Sequence, residues 1–215
     1  MNSDPKPSRK ELERHRRKAD ILIAARELFI NKGFASATLE EVAQAAEFSK
    51  GTIYNYFANK EDLLWGLIEQ FLEESVEVAR REFQKSDVSP RDKFSAYARA
   101  VLSSGPEHEF FHMLMREGHI LEASDCRERM QILTAKIGII WEIIAEVIAA
   151  EIQSGNFRQG NPLQMARLFD LMVRSFGFGG LKKEYPIAGP SSEESVDLIV
   201  GTFFDGVALH TEKDQ

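Results

Sequence analysis

Cysteine is almost missing from this chain: Cys126 is the single thiol in 215 residues. That excludes an internal disulfide framework and fits a reducing cytosol. The opening residues, MNSDPKPSRKELERHRRK, lack the apolar stretch of a secretory signal. No apolar run is long enough to span a bilayer. The most apolar, IGIIWEIIAEVIAA, is interrupted by Glu142 and Glu146. Strand-like alternation is nearly absent and no repeat is visible. No Ser/His/Asp, Cys/His or paired-carboxylate set stands out, so nothing argues for catalysis. The glycines at Gly177, Gly179 and Gly180 follow no strand and precede no Gly-Lys-Ser/Thr, which excludes a phosphate loop. The expectation is a soluble, cytoplasmic, all-α protein that is not an enzyme and needs no cofactor.

What is present is helical periodicity and an uneven charge. The net charge of −7 argues, taken whole, against a nucleic-acid partner. Residues 1–60, however, hold 11 Lys/Arg against 8 Asp/Glu, and the remainder 16 against 26. A basic start on an acidic body separates two jobs and makes the basic part the candidate for phosphate contact. RKELERHRRK itself reads equally as a solvated helix face or an arm.

The spacing predicts a first helix over about 9–32, with Ile21, Leu22, Ala25, Leu28 and Phe29 on one apolar face and Gly33 as the terminating glycine. Thr38-Leu39-Glu40-Glu41 reads as a capping box opening a short second helix along Leu39, Val42, Ala43 and Ala46. Ser49 is an N-cap for a third, and Asn59 caps a long fourth to about 85. Further helices are expected near 91–104, 106–121, 125–154, 162–178 and 192–211, separated by turn residues at Gly105-Pro106, Ser154 to Pro162, and Gly177 to Ser192.

TLEEVAQAAEFSKGTIYNYF, Thr38 to Phe57, has the form of two short helices joined by a tight turn, in which the second helix enters the major groove and the first braces on the backbone. Ser49 and Thr52 offer hydroxyls and Lys50 a charge. Gly51 permits close approach. Tyr54, Asn55 and Tyr56 carry polar tips suited to phosphates and base edges. Ile53 and Phe57 face inward. Either tyrosine can also bury its ring in the core and leave its hydroxyl wet.

With ILIAARELFINKGFASATLEEVA before it and Lys60, Glu61 and Leu63 after it, the segment resembles the DNA-binding domain of TetR/AcrR transcriptional regulators over about 18–78. Glu47 departs from the pattern, where glycine is frequent. The resemblance implies that Thr38 bonds a phosphate, that Lys50, Thr52, Tyr54, Asn55 and Tyr56 face the groove, and that Lys60 contacts the DNA backbone. It implies a basic N-terminal segment (1–17), the helix-turn-helix domain (18–78) and an all-α ligand-binding and dimerisation domain (79–215). It further implies a homodimer formed by the last two helices, on a double-stranded operator. Leu168, Met172 and Phe176 on one, and Val196, Val200, Phe203, Phe204 and Val207 on the other, form the expected seam.

In the middle region Phe111, His112, Met115, His119 and Trp141 are the candidate lining for a small apolar or amphipathic effector; for any one of them ordinary core is the competing explanation. His108 and His112, four residues apart, can instead share a metal with Glu109 or His119. The function expected is a ligand-responsive repressor on a palindromic operator. A metal-responsive regulator, or a helical enzyme or carrier, are the rivals.

Overall fold

The computed structural model describes residues 8–103, 110, 113, 127–177 and 192–207, and among these it contains helices and no β-strand. The helices are α1 (Arg9–Lys32), α2 (Leu39–Ala45), α3 (Lys50–Tyr54), α4 (Lys60–Phe83), α5 (Pro90–Leu102), α6 (Arg127–Gln153), α7 (Pro162–Gly177) and α8 (Ser192–Val207). None is long and apolar enough to cross a membrane. The residues fall into two compact units that divide at Gln70/Phe71, inside α4, rather than at 78.

The first unit holds α1 to α3, the start of α4, and the buried residues Phe110 and Met113. Its ends are set by local polar chemistry. Gly33 ends α1 with φ 85°, and its N–H donates to the Phe29 carbonyl at 3.0 Å. That left-handed φ favours glycine. Phe34 then folds back edge-on against Phe29, centroids 5.2 Å apart. Ile21, Leu22, Phe29, Val42, Ile53, Phe57, Leu63 and Leu64 form the apolar interior. Gly66 is the one place where α4 must come close: a Cβ there would lie 2.9 Å from the Phe57 ring and 3.2 Å from Leu22.

The second unit packs the end of α4 with α5 to α8 around an aromatic centre. Phe94 meets Phe169 at 4.6 Å and stacks on Phe203 at 5.4 Å; Phe157 meets Phe204 at 5.3 Å. This corrects the expected seam. Val196, Val200, Phe203 and Val207 are buried within the chain itself, because the apolar stripe of α8 turns toward α5 and α7. Met172 and Phe204 are half-buried against the same core. Of the residues expected at a seam, Leu168 and Phe176 are exposed, at 55% and 40%. Leu171 and Leu198, at 44% and 55%, join them on the outer faces of α7 and α8. Sequence pattern cannot separate a stripe that packs within a chain from one that packs between chains.

Candidate nucleic-acid interface

Three consecutive caps position the helix-turn-helix. Thr38 Oγ1 accepts from Glu41 N–H at 3.3 Å while the Glu41 carboxylate accepts from Thr38 N–H at 3.1 Å, the reciprocal box expected from the sequence. Ser49 Oγ accepts from Thr52 N–H at 3.1 Å. Asn59 Oδ1 accepts from Asp62 N–H at 2.7 Å. Each cap satisfies an amide that a helix start leaves without a partner, and each is worth about 1 kcal/mol. Between α2 and α3 the chain turns through Glu47 at φ 57°, a left-handed conformation held by a side chain that pays about 1–2 kcal/mol for it. Glu47 therefore takes the left-handed conformation that glycine adopts without that cost.

The result is a short helix with two sides. Ile53 and Phe57 are buried, at 0% and 3% exposure. Ser49, Lys50, Gly51, Tyr54 and Asn55 are exposed, while Thr52 and Tyr56 are half-buried. Tyr54, 48% exposed, is a surface tyrosine and not a core one. Ser49 and Thr52 hydroxyls lie 2.8 Å apart. A Cβ on Gly51 would meet only Ser49 Oγ, at 3.9 Å, so the fold does not demand glycine there. Lys50 forms an ion pair with Glu40 and stands 5.8 Å from the Tyr54 ring centroid. The bond to Glu40 raises the Lys50 pKa and lowers that of the carboxyl. Nearby, Lys32 bonds Glu41 at 2.5 Å, which with Thr38 holds that carboxyl below its ordinary range.

Lys60 is placed differently from expectation. Its Nζ donates to the carbonyls of Phe34, Ala35 and Ala37 at 2.7, 3.0 and 3.0 Å, and lies 4.5 Å from the Phe34 ring centroid. An ammonium has three protons, and here all three are used to tie the α1–α2 connection to the start of α4. A DNA-backbone contact by Lys60 has no donor left to make it. Carbonyls that leave a helix end without a following helix need a donor, and here it comes from a residue 23 to 26 positions along the chain.

In the body, Phe111, His112, Met115 and His119, with His108 and Glu109, lie outside the described residues. Trp141 is half-buried on α6, and its indole N–H donates to Asp170 at 3.0 Å. Asp170, 1% exposed, also accepts from the Tyr97 hydroxyl at 2.6 Å and from Arg174 Nε at 3.0 and 3.1 Å. Arg174 reaches on to Tyr97 at 3.3 Å. Burial pushes the Tyr97 hydroxyl pKa up; burial works against the Arg174 charge, but Tyr97 and Asp170 beside it more than offset that. The sequence reading missed this cluster. An Asp and an Arg four residues apart on α7 was the signal for it.

Residues 21–65 match the family described as bacterial regulatory proteins, tetR family. The chain is similar to YfiR, an uncharacterised HTH-type transcriptional regulator of Bacillus subtilis, at 26% identity over 161 residues, 73% of this chain and 75% of that one. It is 24% identical over 147 residues to the fatty acid metabolism regulator protein of Bacillus subtilis, covering 68% of this chain and 74% of the relative. In structure it is similar to a putative TetR-family transcriptional regulator from Rhodococcus sp., with TM-score 0.70 and 20% identity over 89% of this chain and 98% of that chain.

Proposed function

We propose that this chain, whose residues 21–65 match the tetR family of regulatory proteins, is a homodimeric transcriptional repressor released from a palindromic operator by a small lipophilic effector. One observation carries the DNA half of this reading. α3 is anchored from below by Ile53 and Phe57, and presents Lys50, Gly51, Tyr54 and Asn55 outward from a capped start. A helix that is apolar beneath and polar on its outer side has the form that enters a major groove. Thr38, Ser49, Thr52 and Tyr56 supply phosphate contacts around it, the Thr38 hydroxyl by turning its proton from the Glu41 carboxylate, 3.1 Å away, to the phosphate. Lys60 belongs to the scaffold and drops out of the set.

One helix of this length reads few bases, so a specific site calls for two copies. The outer faces of α7 and α8, with Leu168, Leu171 and Leu198 exposed, support pairing there. The acidic body supports a job apart from DNA. The fatty-acid regulator among its relatives supports an apolar effector. Effector binding shifts the population between two spacings of the recognition helices. α4, which begins in the first unit and ends in the second, is the link.

Selection of bound duplexes from a random pool tests the DNA reading, and a recovered sequence with twofold symmetry supports it. Loss of that binding in a Lys50→Ala/Tyr54→Ala variant that melts like the wild type places the contact on α3. Retained binding in that variant overturns it. Light scattering of Leu168→Glu and Leu198→Glu variants, expected to be folded monomers, tests the pairing. A panel of lipophilic compounds that raise the melting temperature and release the selected duplex tests the effector.

A further inference from the structure

α1 is longer than the part of the domain that it packs on. Ile21, Leu22, Ala24, Ala25 and Phe29 are buried, yet every residue from Arg9 to Asp20 is exposed, Leu12 at 55%. The ten residues from Arg9 to Lys18 rise about 15 Å along the helix axis. Three turns without tertiary packing are marginal on their own. This stretch has local support: Ser8 N–H donates to Glu11 at 2.7 Å, Glu11 N–H donates back to Ser8 Oγ at 3.3 Å, and Arg17 pairs with Glu13 at 3.0 Å.

The side chains on the projecting half are in register with those on the packed half. Ile21, Ala24 and Leu28 recur at the spacing of a helix face, and the same spacing carried upstream gives Arg17, Arg14 and Lys10. Lys18 adjoins this row, with Nζ 5.9 Å from the ring centroid of Phe57, the residue that closes the α3 segment. The face that is core in one half of α1 thus becomes a cationic row in the other, leaving the domain beside the end of α3. Arg9 and Arg16 lie off this row, about 100° or more around the helix from it. Among the described residues, only Arg17 of these cations is paired with a carboxylate. With a single apolar side chain, Leu12, the stretch has no second face for a membrane surface. Its charge fits a polyanion with closely spaced phosphates.

We propose that the projecting half of α1 is a second DNA-contact element, laying Lys10, Arg14, Arg17 and Lys18 along the phosphates that flank the bases read by α3. The proposal rests on the DNA-binding reading above. It adds roughly four base pairs of flanking duplex per protomer, the length that about 15 Å of helix spans at 3.4 Å per step.

The test uses the full chain and the duplex recovered by selection, trimmed from both ends in two-base-pair steps, with affinity measured against salt by fluorescence anisotropy. Wild type should lose affinity as the flanks go. Lys10→Gln/Arg14→Gln should be insensitive to that trimming, with a log–log salt slope lower by about 2 per protomer, and should reselect the same bases. Arg9→Gln/Arg16→Gln removes equal charge from outside the row and should change the slope less than half as much. Circular dichroism establishes that both variants keep their helix. A Lys10/Arg14 variant that matches wild type in slope and trimming overturns the proposal. So does an Arg9/Arg16 variant that loses as much, which would mean diffuse charge and not a row. A wild type that binds no duplex at all overturns the DNA-binding reading beneath it, and that outcome is distinct from the other two.

Discussion

Both units contain a carboxylate held by a cation, and the two pairs do opposite things. In the first, Glu40 meets Lys50 with both side chains 55% exposed. In the second, Asp170 meets Arg174 at 2% and 14% exposure, and Tyr97 and Trp141 add two further hydrogen bonds. An exposed pair exchanges one hydrated partner for another at little net gain, so it is free to let go when a phosphate arrives. A buried pair cannot let go, since each charge would be left in an apolar medium. Lys50 is therefore placed where it can act on a partner, while Asp170 and Arg174 hold α5, α6 and α7 in one arrangement.

The widest contrast comes from removing the buried partner. Asp170→Ala should lower stability by about 3–5 kcal/mol, because Arg174, Tyr97 and Trp141 all lose an acceptor that water cannot replace. Urea unfolding followed by circular dichroism measures it. A loss under about 1 kcal/mol would mean that water reaches the cluster and the contrast fails.

Lys60 sharpens the comparison from within the first unit, being the cation there that is used as the second unit uses its own. Lys60→Ala should lower stability by about 1.5–3 kcal/mol, since three carbonyls lose a charged donor. Its affinity for DNA, measured where the variant is folded, should be that of wild type. A variant of normal stability that binds all duplexes weakly would return Lys60 to the interface.

Tyr97→Phe is milder, costing about 1 kcal/mol for one lost hydroxyl in a cluster that otherwise stays paired. It also has a pH signature. Burial raises the folded-state pKa of Tyr97 above its ordinary 10.0. The folded protein thus keeps a proton that the unfolded chain gives up as pH rises through 10. The contribution is complete below pH 10 and declines above it, so the stability gap between wild type and Tyr97→Phe should be flat to pH 10 and narrow beyond. A gap that widens above pH 10 would contradict the burial.

The same division explains what was legible in the sequence. The caps at Thr38, Ser49 and Asn59 and the glycine at Gly33 could all be read, because each is a local device between residues within one turn. The all-α class followed from periodicity. The burial of the α8 stripe within the chain did not, since Val196, Val200 and Phe203 show an apolar stripe without showing what meets it. Lys60 was misplaced because its partners are more than twenty residues away. The cluster around Asp170 joins three helices across more than seventy residues, a distance no spacing rule covers. The segment expected to line an effector site shows in the sequence only as a concentration of Phe, Met and His.

The smallest effect on stability is expected at Glu40, and it decides what the first unit's surface charges are for. The Lys50 bond holds the Glu40 carboxyl below its ordinary 4.5. A lowered folded-state value contributes stability that is present above pH 4.5 and lost as pH falls below it. Solvent on both side chains screens that contribution, so Glu40→Gln should melt with wild type at neutral pH and show the same acid limb. Its effect should appear on DNA instead. With Glu40 neutral, Lys50 meets a phosphate without giving up a partner, and one negative charge is gone from the surface facing the duplex. Affinity should rise at low salt, and the gain should fade as added salt screens both terms. If Glu40→Gln lowers the melting temperature by several degrees and leaves affinity untouched, the pair is structural after all. Glu40 and Asp170 would then differ in degree and not in kind.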